Sequence, residues 1–308
     1  FTGFEHGMGI GGWLTNYERF NCLPMDRRLN LTIGDFEHFR TYITESDIAY
    51  IKELGMDHIR LGFDQIVVEE KPTIYREEIL NIINNFVDWC EKYGLNVVLN
   101  LHKAVGNYCD IEEKVQLLDN DELQNRFIAL WEKLEDYFSE RKSVAFELLN
   151  EVRNVDPEKW NVLAEKTVTA LRRKNKTRKI IIGSTCWNSV NTLDKLKVFD
   201  DENVIYTFHT YEPFSFTHQQ GVLQAPTLYY NRKMPYPGDI EIYRDYQKVV
   251  SGNESAYKNY TVMDRKYIFD SLKPATDFIK QNPDKILWCG EFGTIRHCKT
   301  EWRENWMR

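Results

Sequence analysis

Ser143-Val-Ala-Phe-Glu-Leu-Leu-Asn-Glu151 is the stretch on which the reading of this chain turns. It is short, apolar and β-prone, and it delivers a carboxylate at its C-terminal end. Far downstream, Lys285-Ile-Leu-Trp-Cys-Gly-Glu291 is built the same way. In a parallel α/β barrel the C-terminal ends of the strands face one shared mouth, where active sites are built. The two runs therefore predict strands of such a barrel, with Glu151 and Glu291 at its mouth.

Outward from these runs, strand-like and helix-like patterns alternate, which argues for βαβ units and a parallel sheet. Strands are predicted over Met8–Trp13, Asp57–Phe63, Leu95–His102, Ser143–Asn150, Ile180–Ser184, Val204–His209 and Lys285–Gly290. The third is almost continuously apolar, as expected where both faces are buried. Between them, Thr44-Glu-Ser-Asp47 caps a helix ending at Gly55. Tyr75–Tyr93 carries Ile79, Ile82, Ile83 and Phe86 at helical spacing. Asp119-Asn-Asp-Glu122 starts a helix running to Arg141, and Asp156-Pro157 caps another reaching Lys174. Arg265–Lys280 reads as a helix kinked at Pro274.

Two irregularities shape the fold prediction. Residues 211–263 form a connection too long for an ordinary βα loop, rich in aromatics and proline, and its aromatic content argues against disorder. It is expected to be irregular, to form an inserted subdomain at the mouth, and to serve as a wall or lid. The sequence reaches Arg308 in the helix after strand seven, so an eighth strand and helix are missing and the natural protein is expected to be longer. The predicted fold is a TIM (β/α)8 barrel, read as a single domain over 1–308, with an insertion after strand six and the eighth βα unit missing.

Composition excludes several classes. A net charge of −7 over 308 residues disfavours a nucleic-acid partner. No apolar stretch is long enough to span a membrane. Cys22, Cys90, Cys109, Cys186, Cys289 and Cys298 are scattered without metal-site spacing, so no cysteine-held metal is expected, and buried free thiols are. That pattern slightly favours the cytoplasm, with secretion open if a signal peptide has been removed; a monomer is expected.

Two glutamates brought to one mouth suit glycosidic-bond cleavage, one protonating a leaving oxygen and the other attacking or activating water. Each could also be a rim charge or a helix cap. Arg60, inside an apolar strand, reads as a partner of these carboxylates or as a structural ion pair. His102 and His209 each end a strand at the mouth, as site residues or satisfied barrel histidines. Trp187 follows strand five, where it could stack on a leaving-side sugar or pack under a loop. Trp13 belongs to barrel packing, Lys103 is site residue or solvated charge, and Arg172–Lys176 is a solvated helix end.

The chain resembles glycoside hydrolase family 5, especially its endoglucanase C type. The matching runs are Gly9-Ile-Gly-Gly-Trp13, His58-Ile-Arg-Leu-Gly-Phe63, Leu99-Asn-Leu-His102, Phe146-Glu-Leu-Leu-Asn-Glu151, Tyr206-Thr-Phe-His-Thr-Tyr211 with Phe216-Thr-His-Gln219, and Cys289-Gly-Glu-Phe-Gly293. They stand in family order. The resemblance implies that Glu151 is the general acid/base and Glu291 the nucleophile, and that Asn150 binds the 2-hydroxyl of the sugar at the cleaved bond. It further implies that Arg60 holds the nucleophile, that His102 lines the same subsite, that His209 sits near the acid/base, and that Tyr211 hydrogen-bonds the nucleophile. Lys103 stands where endoglucanase C types have a second histidine. A tryptophan that the family presents from strand eight has no counterpart.

The implied activity is that of a retaining endo-β-glucanase on cellulose-type or mixed-linkage β-glucans, without cofactor. β-Mannanase and exo-β-1,3-glucanase activities on the same fold are alternatives, as is an inactive glucan-binding protein. A barrel aldolase or isomerase would want a strand-borne Schiff-base lysine or a late phosphate-binding glycine loop, and neither is visible.

Overall fold

Seven strands make one sheet: β1 (Gly7–Leu14), β2 (His58–Asp64), β3 (Asn96–Lys103), β4 (Val144–Glu147), β5 (Ile180–Gly183), β6 (Val204–Thr210) and β7 (Ile286–Phe292). The computed structural model describes residues 1–15, 31–109, 114–221 and 225–308. The strands neighbour one another in chain order, and the registers from β1 through β6 are parallel. Helical crossovers between successive strands produce that order. Every residue of β2, β4 and β5 is buried, the ionisable His58, Arg60, Asp64 and Glu147 included. The chain divides into two compact units, Phe1–Thr207 with Pro283–Trp288, and Phe208–Asn282 with Cys289–Arg308.

In the first unit the crossovers are α1 (Ile33–Thr41), α2 (Glu45–Glu53), α3 (Glu77–Lys92), α4 (Asp121–Phe138) and α5 (Pro157–Lys174). α3 buries Ile79, Leu80, Ile83, Phe86, Val87 and Cys90 along one stripe; each large apolar side chain so buried contributes about 1.5–3 kcal/mol. The anticipated caps are present: a Thr44/Asp47 box on α2, the Asn120 side chain on α4, and Asp156 before Pro157 on α5. α1 has no counterpart in the sequence prediction, although its Thr32/Asp35 capping box was there to be read.

One interior layer takes Val98 from β3, Ala145 from β4, Ile181 from β5 and Ile205 from β6, together with Phe4. Phe1 stacks on Phe4 at 4.3 Å, and Phe1, Ile286 and Trp288 pack against the same cluster. An interior filled by strand-borne side chains rather than left as a pore is the barrel pattern. Two residues further along, the same strands present Asn100, Glu147, Gly183 and Thr207, so the interior turns polar toward the C-terminal ends. Trp13 is buried, its indole donating to the Phe39 carbonyl at 2.8 Å, in line with a packing role.

The second unit corrects the expectation that 211–263 is irregular. It contains α6 (Ile240–Ser251), capped by Asp239 and closed by Gly252 at φ +67°, and an antiparallel pair, Gly238–Asp239 with Val262–Met263. α6 escaped notice because its buried stripe is Ile240, Tyr243 and Tyr246, mostly tyrosine rather than aliphatic. These join Phe216, Tyr230, Met234, Tyr236, Met263 and Cys298 in a core of their own. Tyr243 donates to the Pro235 carbonyl at 2.6 Å, and desolvation raises its pKa.

The helix predicted over Arg265–Lys280 is two, α7 (Arg265–Ser271) and α8 (Lys273–Gln281). Pro274 sits in the first turn of α8, where its missing N–H is not needed, so it marks a start rather than a kink. α9 (Thr300–Met307) follows β7. Only Cys90 and Cys298 of the described cysteines are fully buried; Cys109, Cys186 and Cys289 are partly exposed, and Cys22 lies outside the described residues. No described helix is long and apolar enough to cross a membrane.

Candidate active site

In the first unit Arg60 projects from β2 and is buried. Its Nε and Nη2 donate to Glu147 Oε2 and Oε1 at 2.6 and 2.8 Å, and Nη2 also donates to Asn150 Oδ1 at 2.6 Å. Sequence reasoning offered Arg60 only Glu151 and Glu291 as buried partners and missed Glu147, a fully buried carboxylate. The signal was present: an acid inside Val-Ala-Phe-Glu-Leu-Leu needs a buried cation. Asn150 is fixed at its backbone too, where its N–H donates to the Leu101 carbonyl at 2.9 Å.

Glu151 follows directly and is partly exposed, its carbonyl accepting from Asn107 Nδ2 at 3.3 Å. His102, near the end of β3, has Nδ1 3.1 Å from Asn100 Oδ1. Lys103 does not point to solvent. It is buried 3.7 Å from Asp64, an ion pair joining the ends of β2 and β3, whose register sets the two residues side by side.

Trp187 stands in a strained turn after β5. Cys186, Trp187 and Asn188 have φ of 55, 59 and 57°, a left-handed run rare for residues bearing a Cβ. Asn188 Oδ1 accepts from the Ser184 N–H, and its side chain lies so close over Gly183 that a Cβ there would come within 2.6 Å. The Trp187 backbone N–H donates to the Val152 carbonyl, tying this turn to the segment after Glu151. The indole is 43% exposed, donates to the Cys109 carbonyl at 2.9 Å and lies near the Arg153 guanidinium. Together with Asn154, Asp156 and Lys159, these two side chains line an open pocket of about 350 Å³.

The second unit brings together His209 at the end of β6, Tyr211 just beyond it, and Glu291 on β7. The Tyr211 hydroxyl donates to Glu291 Oε2 at 2.7 Å, and His209 Nδ1 lies 3.6 Å from the same oxygen. Tyr211 is held in turn: its carbonyl accepts from Thr217 Oγ1 at 2.6 Å, and its ring meets His218 edge-on. His218 stacks on Phe214 at 3.8 Å, and burial depresses its pKa to about 4. A carboxylate with one oxygen fixed by a phenol keeps a set orientation, which a nucleophile needs.

Residues 24–308 match the model of the cellulase family, glycosyl hydrolase family 5. The chain is 36% identical to endoglucanase C of Acetivibrio thermocellus, over 98% of this chain and 85% of that protein. It is 30% identical to cellodextrinase A of Ruminococcus flavefaciens, over 99% and 80%. Among solved structures, Cel5A of Thermotoga maritima with cellobiose superposes with a TM-score of 0.72 at 25% identity, covering 98% of this chain and 83% of that one. This likeness and the sequential parallel strands identify a TIM-barrel fold, and the chain belongs to the cellulase family, glycosyl hydrolase family 5.

Proposed function

We propose that the protein is a retaining endo-β-1,4-glucanase acting on cellulose-type or mixed-linkage β-glucans. The observation that carries this reading is the 36% identity to an endoglucanase over nearly the whole chain. In the proposed reaction Glu291 attacks the anomeric carbon while Glu151 protonates the departing glycosidic oxygen. Glu151 then takes a proton from water as that water displaces Glu291 from the glycosyl-enzyme. Support for the nucleophile comes from the 2.7 Å hydrogen bond that Tyr211 gives Glu291. Asn150 would address the 2-hydroxyl of the reacting sugar, with Arg60 holding the nucleophile, His102 lining the same subsite, His209 near the acid/base and Trp187 on the leaving side.

The segment 211–263 is proposed to be an inserted wall of the mouth that favours short glucan chains. Initial rates on polymer and on tetra- to hexasaccharides test that, and faster polymer cleavage argues against it. For the main reading, cellulose derivatives, lichenan, laminarin and mannan are incubated with wild type, Glu151→Gln and Glu291→Ala. Reducing ends are expected from cellulose derivatives and lichenan, with β-configured product appearing first. Removing either carboxyl should lower the rate by about 10³-fold or more, as loss of a proton-transfer or nucleophilic partner does. Release from mannan or laminarin alone would reassign the substrate, and full activity of either variant would remove the assigned roles.

A further inference from the structure

On the reading that Asn150 addresses the 2-hydroxyl of the reacting sugar, we propose that Glu147 is a positioning residue for the reaction. It fixes Arg60, and Arg60 fixes which way the Asn150 amide faces. The Asn150 backbone is already held by its bond to Leu101, so only the side-chain torsions remain to be set. An amide has two faces of nearly equal shape, one accepting and one donating, and a flip exchanges them. A guanidinium carries donors only, so Arg60 Nη2 at 2.6 Å selects Oδ1 and turns the NH₂ away from itself. The NH₂ then faces Cys109 Sγ at 3.9 Å and has a second proton for a substrate hydroxyl.

The selection works only while the guanidinium plane is itself fixed. Glu147 does this by taking Nε and Nη2 on its two oxygens, the fork geometry that sets both distance and plane. One Nη2 proton goes to Glu147 and the other to Asn150, so the three side chains form a single rigid unit. Glu147 is fully buried beneath the site and acts only through the groups above it.

The test uses two aryl β-cellobiosides, one complete and one lacking the 2-hydroxyl on the ring whose bond is cut. In Glu147→Gln, kcat/KM on the complete substrate should fall about 100-fold, the scale of an ångström of misplacement. The 2-deoxy substrate, which lacks the group Asn150 addresses, should be largely spared. In an Asn150→Ala background, Glu147→Gln should cause no further loss. Equal losses on both substrates, or an undiminished effect without Asn150, would overturn the positioning role while leaving the glycosidase reading in place. Wild type inert on both substrates would overturn both readings. Glu147→Asp keeps the charge with a shorter reach and should show a smaller loss of the same selectivity. If neither variant folds, Glu147 serves the fold alone and the inference fails.

Discussion

Arg60 and Arg178 each close a forked pair with a buried glutamate, at opposite ends of the strands, and they differ in what else they hold. Arg178 precedes β5 and donates to Glu135 of α4 at 2.7 and 3.1 Å. Its remaining side-chain hydrogen bonds go to backbone carbonyls, of Phe138, Arg141 and Val144, where α4 ends and β4 begins, and its guanidinium lies 4.7 Å from the Phe146 ring. Arg60 shares its fork between Glu147 and the side chain of Asn150. One pair closes backbone and the other aims a functional group. In barrels the N-terminal face carries stability and the C-terminal face chemistry. Here that division is written in the acceptors of two guanidinium groups.

The strongest way to break the comparison is to remove each arginine alone and then together with its glutamate. Arg60→Met and Arg178→Met should each destabilise by about 3–5 kcal/mol, because each strips a buried carboxylate of a principal partner. Adding Glu147→Leu or Glu135→Leu should recover most of that, since apolar replacement of a buried pair is often neutral. Activity should separate them. The Arg60 double variant should remain about 10²–10³-fold slow, the scale of a lost site donor. The Arg178 double variant should hydrolyse at the wild-type rate well below its Tm. Urea unfolding and initial rates measure both, and a slow Arg178 double variant would erase the distinction.

The strands that carry these pairs are legible in the sequence, and the acid at Glu147 inside its apolar run signals a buried cation without naming it. β5 and the centre of β3 announce themselves as apolar runs because both of their faces are buried, and β2, β4 and β6 by the apolar residues between their polar ones. α3 shows itself by an aliphatic stripe, and α2, α4 and α5 by their caps. α6 hid because its buried positions are mostly tyrosine, and Lys103 because side-by-side register with Asp64 is a tertiary fact. Arg60, Asn150, Tyr211 and Glu291 were named from strand position and family likeness. The partner that sets Arg60 was passed over, since a pairwise guess looked for catalytic acids and not for the acid inside the strand.

A subtler probe contrasts ionic with neutral positioning. The second unit holds Tyr211 against a buried neutral ring, His218, whose pKa falls from 6.5 to about 4 through desolvation. Between those values the unfolded chain binds a proton that the folded one does not, so stability falls as pH drops through this window and the loss levels off near 4. The contribution is about 3 kcal/mol at most. His58 is lowered by desolvation as well, so wild type and variant both retain some acid sensitivity. His218→Phe should therefore narrow, without abolishing, the difference between urea unfolding at neutral pH and near the lower end of the window. An unchanged difference would mean that His218 is not buried neutral.

The smallest effect belongs to Trp187, proposed as a stacking surface on the leaving side and not as an aligner of reacting groups. Its ring is half open to solvent, yet its indole N–H is anchored to Cys109 and its backbone is held in a left-handed turn. A platform so fixed loses little entropy when a sugar stacks on it. Trp187→Ala should raise KM for cellotetraose about fivefold, the worth of an aromatic contact near 1 kcal/mol, with kcat unchanged. An aryl cellobioside, which places no sugar on the leaving side, should be cleaved as by wild type. A matching loss on that substrate would assign Trp187 to packing of the turn and place it with Arg178 among the residues that serve the scaffold.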